Sequence, residues 1–248
     1  MNTEQAELIL KLLKTKTRAP VRRREIYIDD DTKEQTAGFT KIVRDTHPID
    51  FPVHWGEFVL KKHEKDPFAP LSPYYINLRN LPQDLVSDIA SQLTKLKFSK
   101  TPDCIAGIPN GVVPFAKKYS EITGIPYEDF LTKEALDGQR SIVSYGQPLN
   151  RSKNLLLFED VLNEGTSSRE AIRVSEYLGY QIIGIGAFFE REQGGLQYLQ
   201  DLGFEIHAVM SLTPTMDFCR QIGRITQETY DEIINYKNLE SSYKRNSL

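Results

Sequence analysis

Leu-Leu-Leu-Phe-Glu-Asp, residues 155–160, continues through Val-Leu-Asn-Glu to Gly-Thr-Ser-Ser-Arg-Glu-Ala, residues 165–171. A short unbroken apolar run suits a strand covered on both faces. The carboxyl end of such a strand is where an open α/β sheet places its ligand crevice, so Glu159 and Asp160 fall at the mouth of a site. There their carboxylates can accept hydrogen bonds from a sugar. Gly165 permits close backbone approach, the hydroxyls of Thr166, Ser167 and Ser168 can donate, and the free N–H groups opening the next helix favour a bound phosphate. A plainer account also fits the same residues, because Ser167 with Glu170 three positions later is a capping box.

Outward from this stretch the chain repeats the same strand, turn and helix theme. Upstream, Cys104 to Ile108 is a buried-strand candidate ending in Pro109-Asn110-Gly111, with helical spacing from Val112 to Tyr119. Tyr127 to Thr132 reads as a further strand, followed by a polar loop from Lys133 to about Lys153. A connection of that length is often a lid. Downstream, a helix over 168–178 precedes the strand Ile182 to Phe189, which ends in Glu190-Arg191-Glu192-Gln193-Gly194-Gly195. An arginine at a strand's carboxyl end is placed to hold a planar carboxylate bidentately, or else to pair with Glu190 or Glu192. Residues 204–212 form a last strand with His207 as a structural residue, and helices follow over 213–222 and 227–236. Amphipathic helices are also expected over 4–14 and 81–96. Strands alternating with helices predict an α/β fold, a mostly parallel twisted sheet flanked by helices.

Residues 15–53 keep no such period and read as an irregular insertion, with a short strand-like Ile26-Tyr27-Ile28. Within it the triplets Arg22-Arg23-Arg24 and Asp29-Asp30-Asp31 are expected to be a solvated, mutually screened surface. The chain thus divides into an amino-terminal part, 1–53, a main domain, 54–238, and a flexible tail, 239–248. At 248 residues, 40% hydrophobic, it can bury one good core. A net charge of −3 gives no basic footprint for nucleic acid. No segment approaches the roughly 18 apolar residues of a membrane span. Cys104 and Cys219 stand far apart without metal-ligand spacing and read as buried free thiols, which suits a reducing cytoplasm.

The run Leu155 to Ser168, a hydrophobic stretch, two acids, two apolar positions and a Gly/Thr/Ser-rich turn, resembles the ribose-phosphate signature of the type I phosphoribosyltransferases. The resemblance implies that Glu159 and Asp160 bind the ribose hydroxyls of phosphoribosyl pyrophosphate (PRPP), and that Gly165 to Ser168 bind its 5-phosphate. Where that family has Thr and a small residue, this chain has Asn163 and Glu164, and a carboxylate there must turn to solvent to spare the phosphate. Upstream, Phe58, Leu60, Lys61 and Ser72-Pro73-Tyr74-Tyr75-Ile76-Asn77-Leu78-Arg79 are similar to the amino-terminal signature of the orotate phosphoribosyltransferases. That similarity implies that Lys61 reaches orotate and that the backbone of Tyr75 and Ile76 lines its site. It also implies that Arg191 contacts orotate and that the turn at Asn110 and Gly111 holds the pyrophosphate. Of the family's catalytic loop only Lys133 and Glu134 remain, with Thr132 and Leu136 replacing an arginine and a lysine. Arg140 is the nearest substitute charge.

By resemblance the reaction is orotate plus PRPP to orotidine monophosphate plus pyrophosphate. Mg²⁺ would be bound through PRPP, with no protein cage, in a homodimer whose loop crosses the interface. No nucleic-acid or membrane partner is implied. Two other readings stay open: a PRPP or nucleotide sensor that has lost the loop chemistry, to which Thr132, Leu136 and Glu164 point, and a transferase for another base. Lys61 and Arg191 speak against the second.

Overall fold

The computed structural model describes every residue except 53–57, 60–62, 64–65, 137–138 and 246–248, together with the side chains of 136, 139 and 240–245. The chain forms two compact units. Residues Met1–Leu8 and Leu81–Met216 make the first, and Ile9–Asn80 with Asp217–Leu248 make the second. In chain order the elements are α1 (Thr3–Lys14), β1 (Thr17–Ile28), β2 (Gln35–Thr46), β3 (Ile49–Asp50), β4 (Tyr75–Ile76), α2 (Gln83–Leu93), β5 (Cys104–Gly107) and α3 (Val113–Thr123). They continue as β6 (Leu131–Leu136), β7 (Gln139–Ser144), β8 (Asn154–Leu162), α4 (Thr166–Tyr177), β9 (Gln181–Glu190), α5 (Gly195–Asp201), β10 (Ile206–Ser211), α6 (Leu212–Gln221) and α7 (Gln227–Arg245).

The first unit is built on a parallel sheet in the order β10-β9-β8-β5. Leu155 to Phe158 are almost fully buried, as a strand covered on both faces requires. Each such side chain contributes about 1.5–3 kcal/mol through burial. Successive strand residues face opposite ways, and the two faces here have different partners. Leu155 and Leu157 join Ala171 and Ile172 of α4 and Ile142 of β7 in one core cluster. On the other face the Phe158 ring lies 4.7 Å from Tyr119 of α3. This alternation carries on past the apolar run, and it decides where the two acids go.

Expectations change after residue 127 and at the carboxyl end. The polar stretch after residue 133 is largely an antiparallel hairpin, β6 with β7, rather than an irregular loop. Tyr127 to Thr132 is not a sheet strand: Tyr127 makes one parallel bridge to Ile105, and pairing resumes only at Leu131. Local pattern misleads there because, among the described residues, Leu131 and Ile142 are the hairpin's two buried apolar residues, too few to show a period. Residues beyond 238 remain helical in α7 as far as Arg245.

In the second unit, residues 17–46 are not irregular but form a long antiparallel hairpin, β1 with β2. Alternating burial is confined to Thr17, Ala19 and Val21 at its base. Beyond that the ribbon is wet on both faces, so no apolar period marks it. In the same unit β3 pairs with β4, setting Asp50 opposite Tyr75 and Ile49 opposite Ile76, and the Tyr75 ring stacks on Phe58 at 4.9 Å. Lys61 lies outside the described residues.

Candidate active site

The first unit gathers the chemistry-bearing residues at the carboxyl ends of β5, β8 and β9. Adjacent acids at the end of β8 must diverge, and they do. Glu159 follows Leu157 inward: it is 8% exposed and accepts a hydrogen bond from the Ser168 hydroxyl in the first turn of α4. Burial pushes its carboxyl up to about 8, the Ser168 bond opposes that rise, the charge of Asp160 adds to it, and Lys133 lowers it. Asp160 follows Phe158 to the other face and leans on the turn after β5. A Cβ built on Gly111 would stand 1.7 Å from Asp160 Oδ2, so only glycine leaves room there. Asp160 Oδ1 also accepts the N–H of Val161 at 2.9 Å. The structure therefore divides the pair, with Asp160 beside the Asn110-Gly111 turn and Glu159 beneath the hydroxyl turn.

That hydroxyl turn opens α4 without a side-chain cap, Gly165 standing at the N-cap with φ 78°. The capping box does not form: Glu170 instead accepts the N–H of Ile142 at 3.0 Å and ties α4 to the hairpin. The opening N–H groups of α4 are thus left without side-chain acceptors, beside the hydroxyls of Thr166 and Ser167, an arrangement suited to an anion. Lys133 on β6 brings its ammonium within 3.2 Å of Ser167 Oγ, adding positive charge at this turn. Asn163 and Glu164 are exposed. Ser168 is fully buried and spends its hydroxyl on Glu159, a support for the turn rather than a ligand donor.

Arg191 stands at the end of β9, beside β8, its N–H donating to the Leu162 carbonyl at 2.9 Å. The residue is 7% exposed. Its neighbour Glu192 accepts from the backbone N–H of Thr213 at 2.9 Å and from the Thr213 hydroxyl. Gly195, not singled out from sequence, proves necessary: its N–H donates to the Asn163 carbonyl at 2.9 Å, and a Cβ there would lie 2.3 Å from that oxygen. The doubled glycine at 194–195, directly after a strand, was its signal. A cavity of about 550 Å³ opens between Asn110, Val113 and Pro114 on one side and Leu131, Thr132 and Tyr145 on the other. It adjoins the Asn110 turn and the hairpin base rather than the acids. Tyr75 and Ile76 belong to the second unit.

The phosphoribosyl transferase domain family matches residues 77–201, half of the chain, spanning this whole constellation. The chain belongs to that family. Its relatives include an orotate phosphoribosyltransferase of Thermoplasma volcanium, 29% identical over 163 residues, which are 65% of this chain and 91% of that one. A uridine 5′-monophosphate synthase of Caenorhabditis elegans is 27% identical over 199 residues, 75% of this chain, and the match spans only 37% of that longer protein. Among solved structures, UMP synthase of Leishmania donovani aligns with a TM-score of 0.61 at 22% identity, covering 77% of this chain and 40% of that one. The orotate phosphoribosyltransferase of Aeropyrum pernix aligns at 0.53 and 18%, covering 68% and 92%. These structural likenesses carry the type I phosphoribosyltransferase fold.

Proposed function

We propose that this phosphoribosyltransferase-family chain transfers the phosphoribosyl group of PRPP to orotate, yielding orotidine monophosphate and pyrophosphate. The observation that carries the reading is the convergence, at adjoining strand ends, of an uncapped hydroxyl-rich helix start with Lys133 beside it and of Asp160 against the Asn110-Gly111 turn. The first fits a terminal phosphate, and the second fits ribose hydroxyls flanked by a pyrophosphate. The curated relatives named for orotate supply the acceptor. Arg191 would hold its carboxylate, while Lys61, Tyr75 and Ile76 stay assigned to orotate by sequence resemblance.

Catalysis on this reading is a matter of positioning two reactants and stabilising the departing pyrophosphate, with no covalent nucleophile. Hairpin β6–β7 would exclude water above the turn. Mg²⁺ suits a site with one carboxylate, Asp160, beside a turn of neutral groups, because it is a hard cation that takes oxygen ligands and keeps much of its shell from substrate phosphates. When bound it neutralises pyrophosphate charge. A homodimer and a cytoplasmic setting complete the proposal. The setting is supported by two buried free thiols, Cys104 and Cys219, which burial raises to about 11 and about 12. No helix among the described residues is long and apolar enough to cross a membrane.

The sensor reading rests on Thr132 at the hairpin base and on Leu136, where the related loops carry cations. One assay separates the two: orotate, PRPP and Mg²⁺ are incubated with the chain and orotate absorbance is followed. Loss of absorbance that depends on PRPP is expected of the transferase, and a flat trace with intact PRPP binding favours the sensor.

A further inference from the structure

The turn after β9 takes a course that its sequence does not favour. Glu192 has φ 54°, in the left-handed region that glycine enters freely and a residue with a side chain enters only at a cost. The same turn places glycine at its other left-handed position, Gly194, which takes φ 89° at the N-cap of α5. A strained residue persists only where its surroundings over-determine it, and such residues cluster at functional sites.

The surroundings that hold Glu192 belong to α6. Because β9 and β10 run parallel with Glu190 paired to Ser211, the chain two residues on brings Glu192 level with Thr213. There Oε1 of Glu192 accepts the Thr213 N–H at 2.9 Å, and Oε2 accepts the Thr213 hydroxyl. Thr213 is the second residue of α6, and the opening N–H groups of a helix lack intrahelical partners and attract negative charge. The first turn of α6 carries no acid of its own. Glu192 supplies one from the neighbouring strand end. Glycine at 192 would relax the backbone, but it could not make this contact.

The residue so anchored directly follows Arg191. On its other side, the Arg191 N–H donates to the Leu162 carbonyl at 2.9 Å. Arg191, itself buried, therefore stands between a backbone tie to β8 and a side-chain tie to α6. A planar guanidinium grips a carboxylate bidentately only when its plane is correctly set. A segment fixed in advance also avoids the loss of freedom that binding would otherwise impose.

We infer that Glu192 is a positioning residue for the acceptor substrate: clamped on Thr213, it holds the turn in the left-handed conformation that presents Arg191 to the acceptor's carboxylate. The inference rests on the function proposed above, in which Arg191 binds orotate. Glu192 acts through Arg191, and the start of α6 becomes part of the frame of the acceptor site.

Isothermal titration of orotate and the melting shift given by PRPP with Mg²⁺, both on the full-length chain, test this. Glu192→Gly releases the strain together with the clamp, so its unliganded melting temperature and its PRPP shift should stay close to wild type while orotate affinity falls about tenfold. Glu192→Gln keeps an acceptor for the Thr213 N–H and should lose less. Thr213→Val removes only the hydroxyl; it should weaken orotate by itself and add nothing in the Glu192→Gly background, as two ends of one contact require. Wild-type orotate affinity in Glu192→Gly, or additive losses in the double variant, would overturn the inference. A melting temperature well below wild type, with the PRPP shift lost in parallel, would overturn it too and mark Glu192 as a helix cap alone. Absence of orotate binding by wild type would remove the acceptor assignment and the clamp's role with it, whereas intact wild-type binding with an indifferent Glu192→Gly would remove the clamp only.

Discussion

Glu159 and Asp160 are neighbours in sequence with opposite surroundings, and their substitutions should separate accordingly. Asp160→Asn leaves the fold intact on the expected outcome but shrinks the rise in melting temperature that PRPP with Mg²⁺ produces. Glu159 acts on stability. Its folded value near 8 lies above the ordinary 4.5, so between those limits the folded state holds a proton that the unfolded state has released. Stability from this group is therefore full below about pH 4.5 and is lost as pH rises toward 8, at roughly 1.4 kcal/mol per pH unit at most. Melting curves over that window should fall for wild type and stay flatter for Glu159→Gln; parallel curves would show that Glu159 is ionised when folded. Arg191→Ala should weaken orotate far more than PRPP in isothermal titration, because removing a bidentate guanidinium leaves the orotate carboxylate unpaired. Unchanged orotate binding would make Arg191 a structural residue. The acid pair itself was legible from sequence. Its division was not, because period-2 alternation had to be continued through polar residues that an apolar pattern does not mark.

The hairpin β6–β7 brings the loop residues into register. Lys133 opposite Ile142 and Ala135 opposite Arg140 share one face, so Arg140 lies two positions along from the lysine that meets Ser167. A cation over a departing pyrophosphate in a dry site is worth far more than one in bulk water, and losing one preorganised donor costs about a hundred- to a thousandfold in rate. With leucine at 136 the chain should be a slow transferase with near-normal PRPP binding. Leu136→Lys should raise kcat more than it alters KM, and Arg140→Ala should lower the remaining rate. Fast wild-type turnover with a silent Arg140→Ala would refute this account of the hairpin, and inactivity of both wild type and Leu136→Lys with PRPP still bound would favour the sensor. The hydroxyl turn was readable as a strand-to-helix junction, because a glycine followed by three hydroxyl residues after a buried apolar run marks a helix start. Its supports were hidden: Glu170 reaches across to β7, and Gly195 arrives from the end of another strand. Gly195→Ala should reduce the PRPP-induced melting shift severalfold by forcing the 163–165 backbone aside. A full shift in that variant would mean the turn can yield.

At the scale of the molecule, an alternating α/β reading anticipated the parallel sheet, since buried strands and amphipathic helices announce themselves locally. The ribbon over 17–46 did not, because a structure wet on both faces leaves no apolar period. Membership of the two units is equally invisible in the sequence, as each is assembled from segments far apart in the chain. Gln5 of α1 donates its side-chain amide to the Val209 carbonyl of β10 across 204 residues, while Glu4 engages Gln92 and Lys95. During synthesis, then, the helix that braces the sheet's last strand is made before any of that sheet and must wait for nearly all of it before its partner exists. Until that strand emerges, the Gln5 amide has no β10 carbonyl to hold it, and the start of α1 is tied to the sheet by nothing from its far edge.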